Sequence, residues 1–448
     1  MTDVAIIGGG PAGYAAALAA ARRGASVVVA EPERLGGTCV HWSCIPTNVL
    51  LAALHVSLDA RELAFLDVLD AGDDVSMPRL GSRRESLVRL LAGGIERALR
   101  NAGVTVLPGR GTVVAGGMDV GGELVGAPSV VVAAGARWEV PELPGIAADR
   151  ILTADLVQGL LAAPASALVL GGGPAATAFA VEYAFLLAGL GTSVTLASPG
   201  ASVVPALDPD LDPAVTEALE TLGIDVLREA TVVGGAPGKV TVAHAGGESV
   251  VAADVVVVAD RRVPLTDGVG LAESGVTVRE GAVVVDRSCR TSAPGVLAAG
   301  DVTGGWMTTA AALHTGEVAG AVAAGASAVT RLASMPHVLH TLPGVGWIGE
   351  SEAALRAKGA DIGVAVVDLA ANGRAVALGG RGGYLKLVAD ASTGELLGVH
   401  VVGPDAAELM AVAGTAMQAE LTVADVAALV PWHPTLTESL VDAAKQLA

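Results

Sequence analysis

Apolar residues fall in short runs closed by glycine or proline, and the first of these runs sets the plan of the chain. Residues 3–8 read as a buried strand and Gly8-Gly9-Gly10-Pro11-Ala12-Gly13 as a turn. An Ala-rich helix then reaches about Arg23, and Ser26–Ala30, ending at Glu31, reads as a second strand. This is a complete βαβ unit of the kind that binds a dinucleotide. Gly8 permits the tight turn, Gly10 lets the backbone approach a pyrophosphate at the helix N-terminus, and Gly13 allows close helix–strand packing. Glu31 is placed to hold a ribose hydroxyl.

A second unit repeats the pattern. Ala167-Leu168-Val169-Leu170 is its strand and Gly171-Gly172-Gly173-Pro174-Ala175-Ala176 its turn, with Ala176 where a third glycine would stand. Gly171 and Gly173 take the parts of the first two glycines, and a long apolar helix leads on to the strand Ser193–Ala197. Ser129–Ala133 and Asp254–Ala259 each close a unit. The run from Gly295 to Asp301 is a buried strand that delivers an aspartate at its carboxyl end, where ligands sit in open α/β sheets. From about Ser334, strands such as Tyr384–Ala389 and Leu397–Val402 are followed by helices, which predicts a separate α+β unit. The expected fold is α/β, with two Rossmann-like nucleotide-binding domains at 1–145 and 146–259. A return segment at 260–333 completes the first and central part, and a C-terminal α+β domain covers 334–448.

A chain of 448 residues suits several domains rather than one core. Hydrophobic residues make up 52%, with a mean hydropathy of +0.59, yet Ala, Val and Gly supply much of this, and no uninterrupted apolar run suffices to span a bilayer. A strand begins at Val4 with no basic region before it, which argues against a cleaved signal peptide and makes the cytoplasm the expected compartment. The net charge of −19, without a basic stripe, excludes nucleic acid as an expected partner. Three cysteines cannot form a secreted disulfide framework, and no metal-ligand cluster is visible.

Two of those cysteines lie close together, in Gly36-Gly37-Thr38-Cys39-Val40-His41-Trp42-Ser43-Cys44-Ile45-Pro46-Thr47-Asn48, directly after the first βαβ unit. In an ideal helix, residues five apart have Cα atoms roughly 8–9 Å apart, beyond the usual disulfide limit of about 7 Å. A bridge here therefore requires a distorted helix start. Cysteines strained at a helix N-terminus have lowered thiol pKa values and exchange readily. The same spacing also suits two buried cysteines that never pair.

With its other motifs, the chain resembles the flavoprotein disulfide reductases nearly end to end. The likeness rests on the redox loop, the first glycine turn, Ala133-Ala134-Gly135, Val285-Asp286 with Arg290-Thr291-Ser292, and Ala299-Gly300-Asp301. It continues through Thr341-Leu342-Pro343 with Val345-Gly346, Gly398-Val399-His400 with Gly403-Pro404, and His433-Pro434-Thr435 with Glu438. The resemblance implies bound FAD, with Thr38, Ala134 and Gly135 beside it and Asp301 on its ribityl chain. It further implies that Cys39 exchanges with substrate and that Cys44 faces the flavin as a thiolate. The chain would form a homodimer in which His433, oriented by Glu438, reaches the partner's disulfide as acid/base. On residues alone, that histidine and glutamate are no more than a base and its orienter in outline, and a surface histidine fits as well. His41, His314, His337, His340 and His400 read as structural or solvent-facing, and Cys289 as an inert core thiol.

The chain departs from the family pattern around electron flow. Asn48 stands where the family has a lysine. That lysine's glutamate partner aligns with Ala178 without gaps, or with Glu182 when counted back from Gly191. Ser198-Pro199-Gly200 offers neither the acidic residue of an NAD site nor the arginine of an NADP site. Asp260-Arg261-Arg262-Val263-Pro264 blurs the family's arginine segment, and His41, Trp42 and Ser43 replace the usual redox-loop residues. The expected function is that of a dithiol/disulfide oxidoreductase similar to dihydrolipoamide dehydrogenase. Electrons would pass between a dithiol or disulfide, whether a small molecule or lipoyl- or carrier-bound, the Cys39/Cys44 pair, FAD and NAD(P). A second reading is a flavoprotein oxidase or dehydrogenase acting in trans on a carrier-bound intermediate, with oxygen as acceptor.

Overall fold

The computed structural model describes residues 2–66, 68–70, 75–171, 177–259, 261–379 and 382–448. Val4–Ile7 is the central strand of a five-stranded parallel sheet, flanked by Ser129–Val132 and Val27–Glu31, with Val296–Ala298 and Thr105–Pro108 at the edges. Val4, Ala5 and Ile6 are fully buried. A parallel sheet covered on both faces is built from continuous apolar runs rather than alternating ones, which is why these strands read so plainly in the sequence.

The helices that follow in the first part of the chain are α1 (Pro11–Ala21), α2 (Gly37–His41), α3 (Cys44–Phe65) and α4 (Met77–Asn101), followed by α5 (Ala154–Val157) and α6 (Thr177–Gly189), α7 (Asp212–Thr221) and α8 (Thr309–Ala323). Helix α8 lies directly on α1: a Cβ at Gly316 or Gly320 would collide with the carbonyl oxygens of Ala12 and Ala16. Alanine and glycine thus let the two helix backbones approach closely. Gly37–Phe65, spanning α2 and α3, holds an 18-residue window with a mean hydropathy of 1.3 and is long and apolar enough to cross a membrane by length and composition alone. It is not an uninterrupted apolar run, since His41, Asn48, Asp59 and Arg61 fall within it. A core helix passes the same test, and Leu50, Leu51 and Leu54 of α3 are buried in one cluster with Val181 and Phe185 of α6.

The second sheet is also five-stranded and parallel, in the order Asp225–Leu227, Ser193–Ala197, Ser166–Leu170, Val255–Val258, Ile151–Thr153. The chain passes between the two sheets along Ala136–Glu139 and returns along Arg261–Pro264, and these strands pair antiparallel. The C-terminal sheet is antiparallel, in the order His337–Leu339, Gly344–Gly349, Leu396–Gly403, Tyr384–Asp390, Ile362–Asp368. The expected α/β architecture with a C-terminal α+β domain is the observed one.

A buried ion network ties this last sheet to the loop before α7. Lys386, 1% exposed, reaches Asp208 at 3.1 Å, Asp210 at 2.8 Å and Glu352 at 2.6 Å. His400, opposite Lys386 in the sheet, accepts the Asp208 N–H on Nδ1 at 3.2 Å. Lys386→Met would leave Asp208 buried without its cation, and removal of one partner of such a pair costs about 3–5 kcal/mol. The expected result is a lowered thermal midpoint, measured at fixed protein and FAD concentration.

Candidate active site

A cavity of about 530 Å³ is lined by Gly8 and Gly10, Glu31, Thr38, Cys39, Cys44, Ala134, Gly135, Arg262 and Asp301. The glycine turn is shaped by its neighbours. Gly8 has φ +99°, and a Cβ on it would strike the Ala133 carbonyl oxygen; a Cβ on Gly13 would strike the Gly8 carbonyl oxygen. Gly10 caps α1 with no side-chain acceptor and Pro11 follows, so the first-turn N–H groups are left to a ligand. Glu31 is held at the turn, accepting from the Gly9 N–H at 2.6 Å on Oε2 and the Glu33 N–H at 2.9 Å on Oε1. A bare helix N-terminus for a pyrophosphate, a carboxylate at the end of the second strand and thiols in one cavity fit FAD.

The backbone between the cysteines explains how residues too far apart in a helix can meet. Helix α2 ends at His41, Trp42 (φ −131°, ψ −10°) and Ser43 (φ −139°, ψ −98°) leave helical geometry, and α3 begins at Cys44. The expected distortion is therefore a break between two helices. Both cysteines are free thiols lining one cavity. Interaction with the Cys39 thiol does most to lower the Cys44 pKa, to about 6 against the opposing effect of burial; the Thr309 hydroxyl and the Arg262 charge assist. The same interaction raises the Cys39 pKa, since the shared proton is its own. The thiolate thus sits on Cys44, at the N-terminus of α3 and 3.1 Å from Thr309 Oγ1.

The residues around the pair come from distant parts of the chain. Arg262 lies between the two sheets, 2.7 Å from Asp301, with Nη1 on the Met307 carbonyl at 3.1 Å and its guanidinium over the Trp138 ring. Phe179 of α6 also lines the cavity. Asn48 Nδ2 donates to the Cys44 carbonyl at 2.9 Å. Glu182 is buried and its charge interacts with that of Cys44, while the side chain of Ala178 lies outside the described residues. Trp42 borders the cavity, its carbonyl accepting from the Gln158 amide. Thr309, Phe179 and Tyr14, whose hydroxyl is acted on by both thiols, belong to no sequence motif and were not expected here. For Arg262 the signal was present in the blurred arginine segment.

In the second unit, Gly171 ends its strand with its N–H on the Ala197 carbonyl at 3.2 Å, and Gly173 lies outside the described residues. Ser198 is buried and donates to the Ser202 carbonyl at 2.9 Å, so it offers no charge to a ribose or its phosphate. His433 Nδ1 is 2.9 Å from Glu438 Oε1, and Glu438 Oε2 accepts the Thr435 N–H at 2.8 Å. The structure brings this histidine and glutamate together, but His433 does not line the cavity of its own chain. His41 donates from Nε2 to the Leu35 carbonyl, His314 accepts the Arg331 N–H, and His337 stacks on Trp347. Cys289 is buried, its pKa pushed up to about 12 by desolvation. Among the described residues no cluster could hold a metal ion.

Two parallel nucleotide-type sheets, a coupled thiol pair at the end of a glycine-turn cavity and an antiparallel C-terminal sheet define an FAD-dependent oxidoreductase. The chain belongs to the pyridine nucleotide-disulphide oxidoreductases: residues 2–316 match that family and residues 335–444 its dimerisation domain. Members use FAD, with NAD(P) as the electron partner. It is 34% identical to the dihydrolipoyl dehydrogenase of Thermus scotoductus over 99% of this chain and 97% of that one. It is 32% identical to that of Halobacterium salinarum over 99% and 96%. Among solved structures, LpdA of Mycobacterium tuberculosis superposes with a TM-score of 0.90 at 28% identity, covering 100% of both chains. The HOCl-induced flavoprotein disulfide reductase RclA of Escherichia coli gives 0.86 at 26% identity, again over 100% of both.

Proposed function

We propose that the protein is a cytoplasmic homodimer that oxidises or reduces a dithiol/disulfide substrate of lipoyl type through Cys39 and Cys44. Residues 1–145 and 260–333 would form the FAD unit, with Gly8, Gly10, Gly13, Glu31, Thr38, Ala134, Gly135 and Asp301 around the cofactor. Residues 146–259 would form the nicotinamide unit, with Gly171 and Gly173 at its turn, and 334–448 the dimer contact. The observation that carries the reading is the proton order on the thiol pair. Exchange favours the leaving thiol of lower pKa, and in this pair that is Cys44. A substrate thiolate attacks Cys39 Sγ, the disulfide opens, and Cys44 departs as the thiolate held by Thr309. The proton of the first substrate thiol passes through His433 of the partner subunit and away. The same base then takes the proton of the second thiol, which attacks the substrate sulfur of the mixed disulfide; the oxidised substrate leaves, and Cys39 departs as a thiolate that receives this second proton from His433 of the partner subunit. FAD, held by the glycine turn, Glu31 and Asp301, would supply a two-electron acceptor between the thiol pair and a nicotinamide nucleotide. The relatives give no support to the oxygen-accepting alternative.

The test is anaerobic reduction of the FAD-loaded protein by dihydrolipoamide, NADH and NADPH in turn, followed at the long-wavelength thiolate–flavin band. Dihydrolipoamide is expected to raise the band. Because the thiol ionises above its pKa, the band should grow as pH rises through about 6 and fade below it. With no charged residue in Ser198-Pro199-Gly200, NADH and NADPH should reduce the protein with similar preference. A flavin left oxidised by excess dithiol overturns the reading.

A further inference from the structure

The thiol pair of this chain lies beside a carboxyl group with no cation to answer it. Glu182 is 8% exposed, its Oε1 accepts the His340 N–H at 2.6 Å, and among the described residues it makes no ion pair. Asn48, one turn along α3 from Cys44, spends its amide on the Cys44 carbonyl at 2.9 Å. Helices α3 and α6 are pinned at this level by Thr47 Oγ1 and the Tyr183 hydroxyl, buried and 3.0 Å apart. These are the immediate neighbours of Asn48 and Glu182. The carboxyl therefore shares the α3–α6 interface with Cys44, at a range where the two charges act on each other.

Among the described residues, no other group at this interface supplies a fixed positive charge. On α6, Tyr183 is kept protonated by burial. From the strand side, His340 and His337 are both pushed by burial towards the neutral ring. From α3, His55 donates Nε2–H to the His340 carbonyl at 3.1 Å, so His55 and Glu182 grip opposite sides of one residue. Asp155 of α5 acts on Tyr183 and adds negative charge. Cys39 keeps its proton, and Arg262, which acts on Cys44, is paired with Asp301 at 2.7 Å.

Two anions in such an interior are costly, and the cheaper arrangement leaves one neutral. We propose that Glu182 is a redox-coupled proton holder, protonated while Cys44 is a thiolate and ionised when the cysteines form the disulfide. On reduction by the dithiol or by the nicotinamide nucleotide, two electrons enter and the sulfur–sulfur bond opens. Cys39 takes one proton, Cys44 keeps the negative charge, and Glu182 takes a second proton, so the charge of the interior does not change. On reoxidation the pair leaves through Cys44, the bond re-forms and both protons depart. Burial, reinforced by the Cys44 charge, raises the Glu182 pKa to about 7, which suits a group that must do both. A lysine at Asn48 would hold the carboxyl ionised in both states. The inference rests on the redox role of Cys39 and Cys44 proposed above.

Redox-difference infrared spectroscopy of the FAD-loaded protein near pH 7 tests it, with the thiolate–flavin band recorded on the same samples. Reduction of the wild type should bring in a protonated-carboxyl C=O band, which Glu182→Gln removes. Asn48→Lys should remove it too, keeping the test open if the glutamine variant does not fold, and His55→Gln should leave it in place. A thiolate–flavin band without the carboxyl band, or a carboxyl band that persists in Glu182→Gln, overturns this inference alone. Absence of the thiolate–flavin band from the wild type overturns the redox reading and this one with it.

Discussion

Cys44→Ser is expected to give a yellow protein that dithiols cannot reduce, with dithiol turnover down by at least about 10³-fold. The size of the effect follows from the division of labour between the two sulfurs. Cys44 is the thiol whose pKa falls to about 6, through its interaction with the Cys39 thiol, the Thr309 hydroxyl and the Arg262 charge. A serine hydroxyl ionises far above the working pH and cannot form the disulfide that stores the electron pair. FAD binding should be untouched, because the glycine turn, Glu31 and Asp301 do not depend on the thiol. Reduction of an artificial acceptor by NADH, which needs no thiol, should persist in the variant. Dithiol turnover equal to that of the wild type would remove the disulfide from the mechanism.

Much of the scaffold behind that prediction was legible because parallel strands buried on both faces are continuous apolar runs, and because a turn that presses against its own helix needs glycine where a Cβ has no room. Gly8 and Gly13 illustrate the second point, and Val4–Ile7 the first. The broken helix between Cys39 and Cys44 was legible in part, since a bridge across five residues cannot form in a regular helix. Spacing does not say where the break falls, and the structure puts it at Trp42 and Ser43. Thr309 and Phe179 could not be read at all. They are common residues on helices distant in sequence, brought to the thiols only when α8 docks on α1 and α6 on α3. Glu182 stood between two alignments, one counted without gaps to Ala178 and one counted back from Gly191, and only the fold shows it buried with its carboxyl on the His340 N–H. Lys386 lies in the strand Tyr384–Ala389 that the sequence announced, but only the fold surrounds it with carboxylates from a loop and a helix on other parts of the chain.

His433 carries the second large effect, and its geometry dictates the form of the experiment. The carboxyl of Glu438 is held below its usual range by the Thr435 N–H and by His433 itself, so it stays ionised and accepts the Nδ1 proton of the ring. In the neutral ring that arrangement puts the lone pair on Nε2, where a general base needs it. Yet the His433 side chain is 77% exposed and does not line the cavity that holds Cys39 and Cys44 of its own chain. On the reading proposed above, it serves a cavity brought to it by a second copy. His433→Gln should therefore lower dithiol turnover by about 10²–10⁴-fold while NADH reduction of an artificial acceptor is kept, and Glu438→Gln should cause a smaller loss. If each site draws its thiols from one chain and its base from the other, two inactive variants can repair one another. Co-expressed His433→Gln and Cys44→Ser chains would give mixed dimers with one complete site, and random pairing restores about a quarter of wild-type sites. Recovery near that level places the base across the dimer. No recovery, with mixed dimers shown to form, would mean that His433 does not act on the partner's thiols and that the proton leaves by another route.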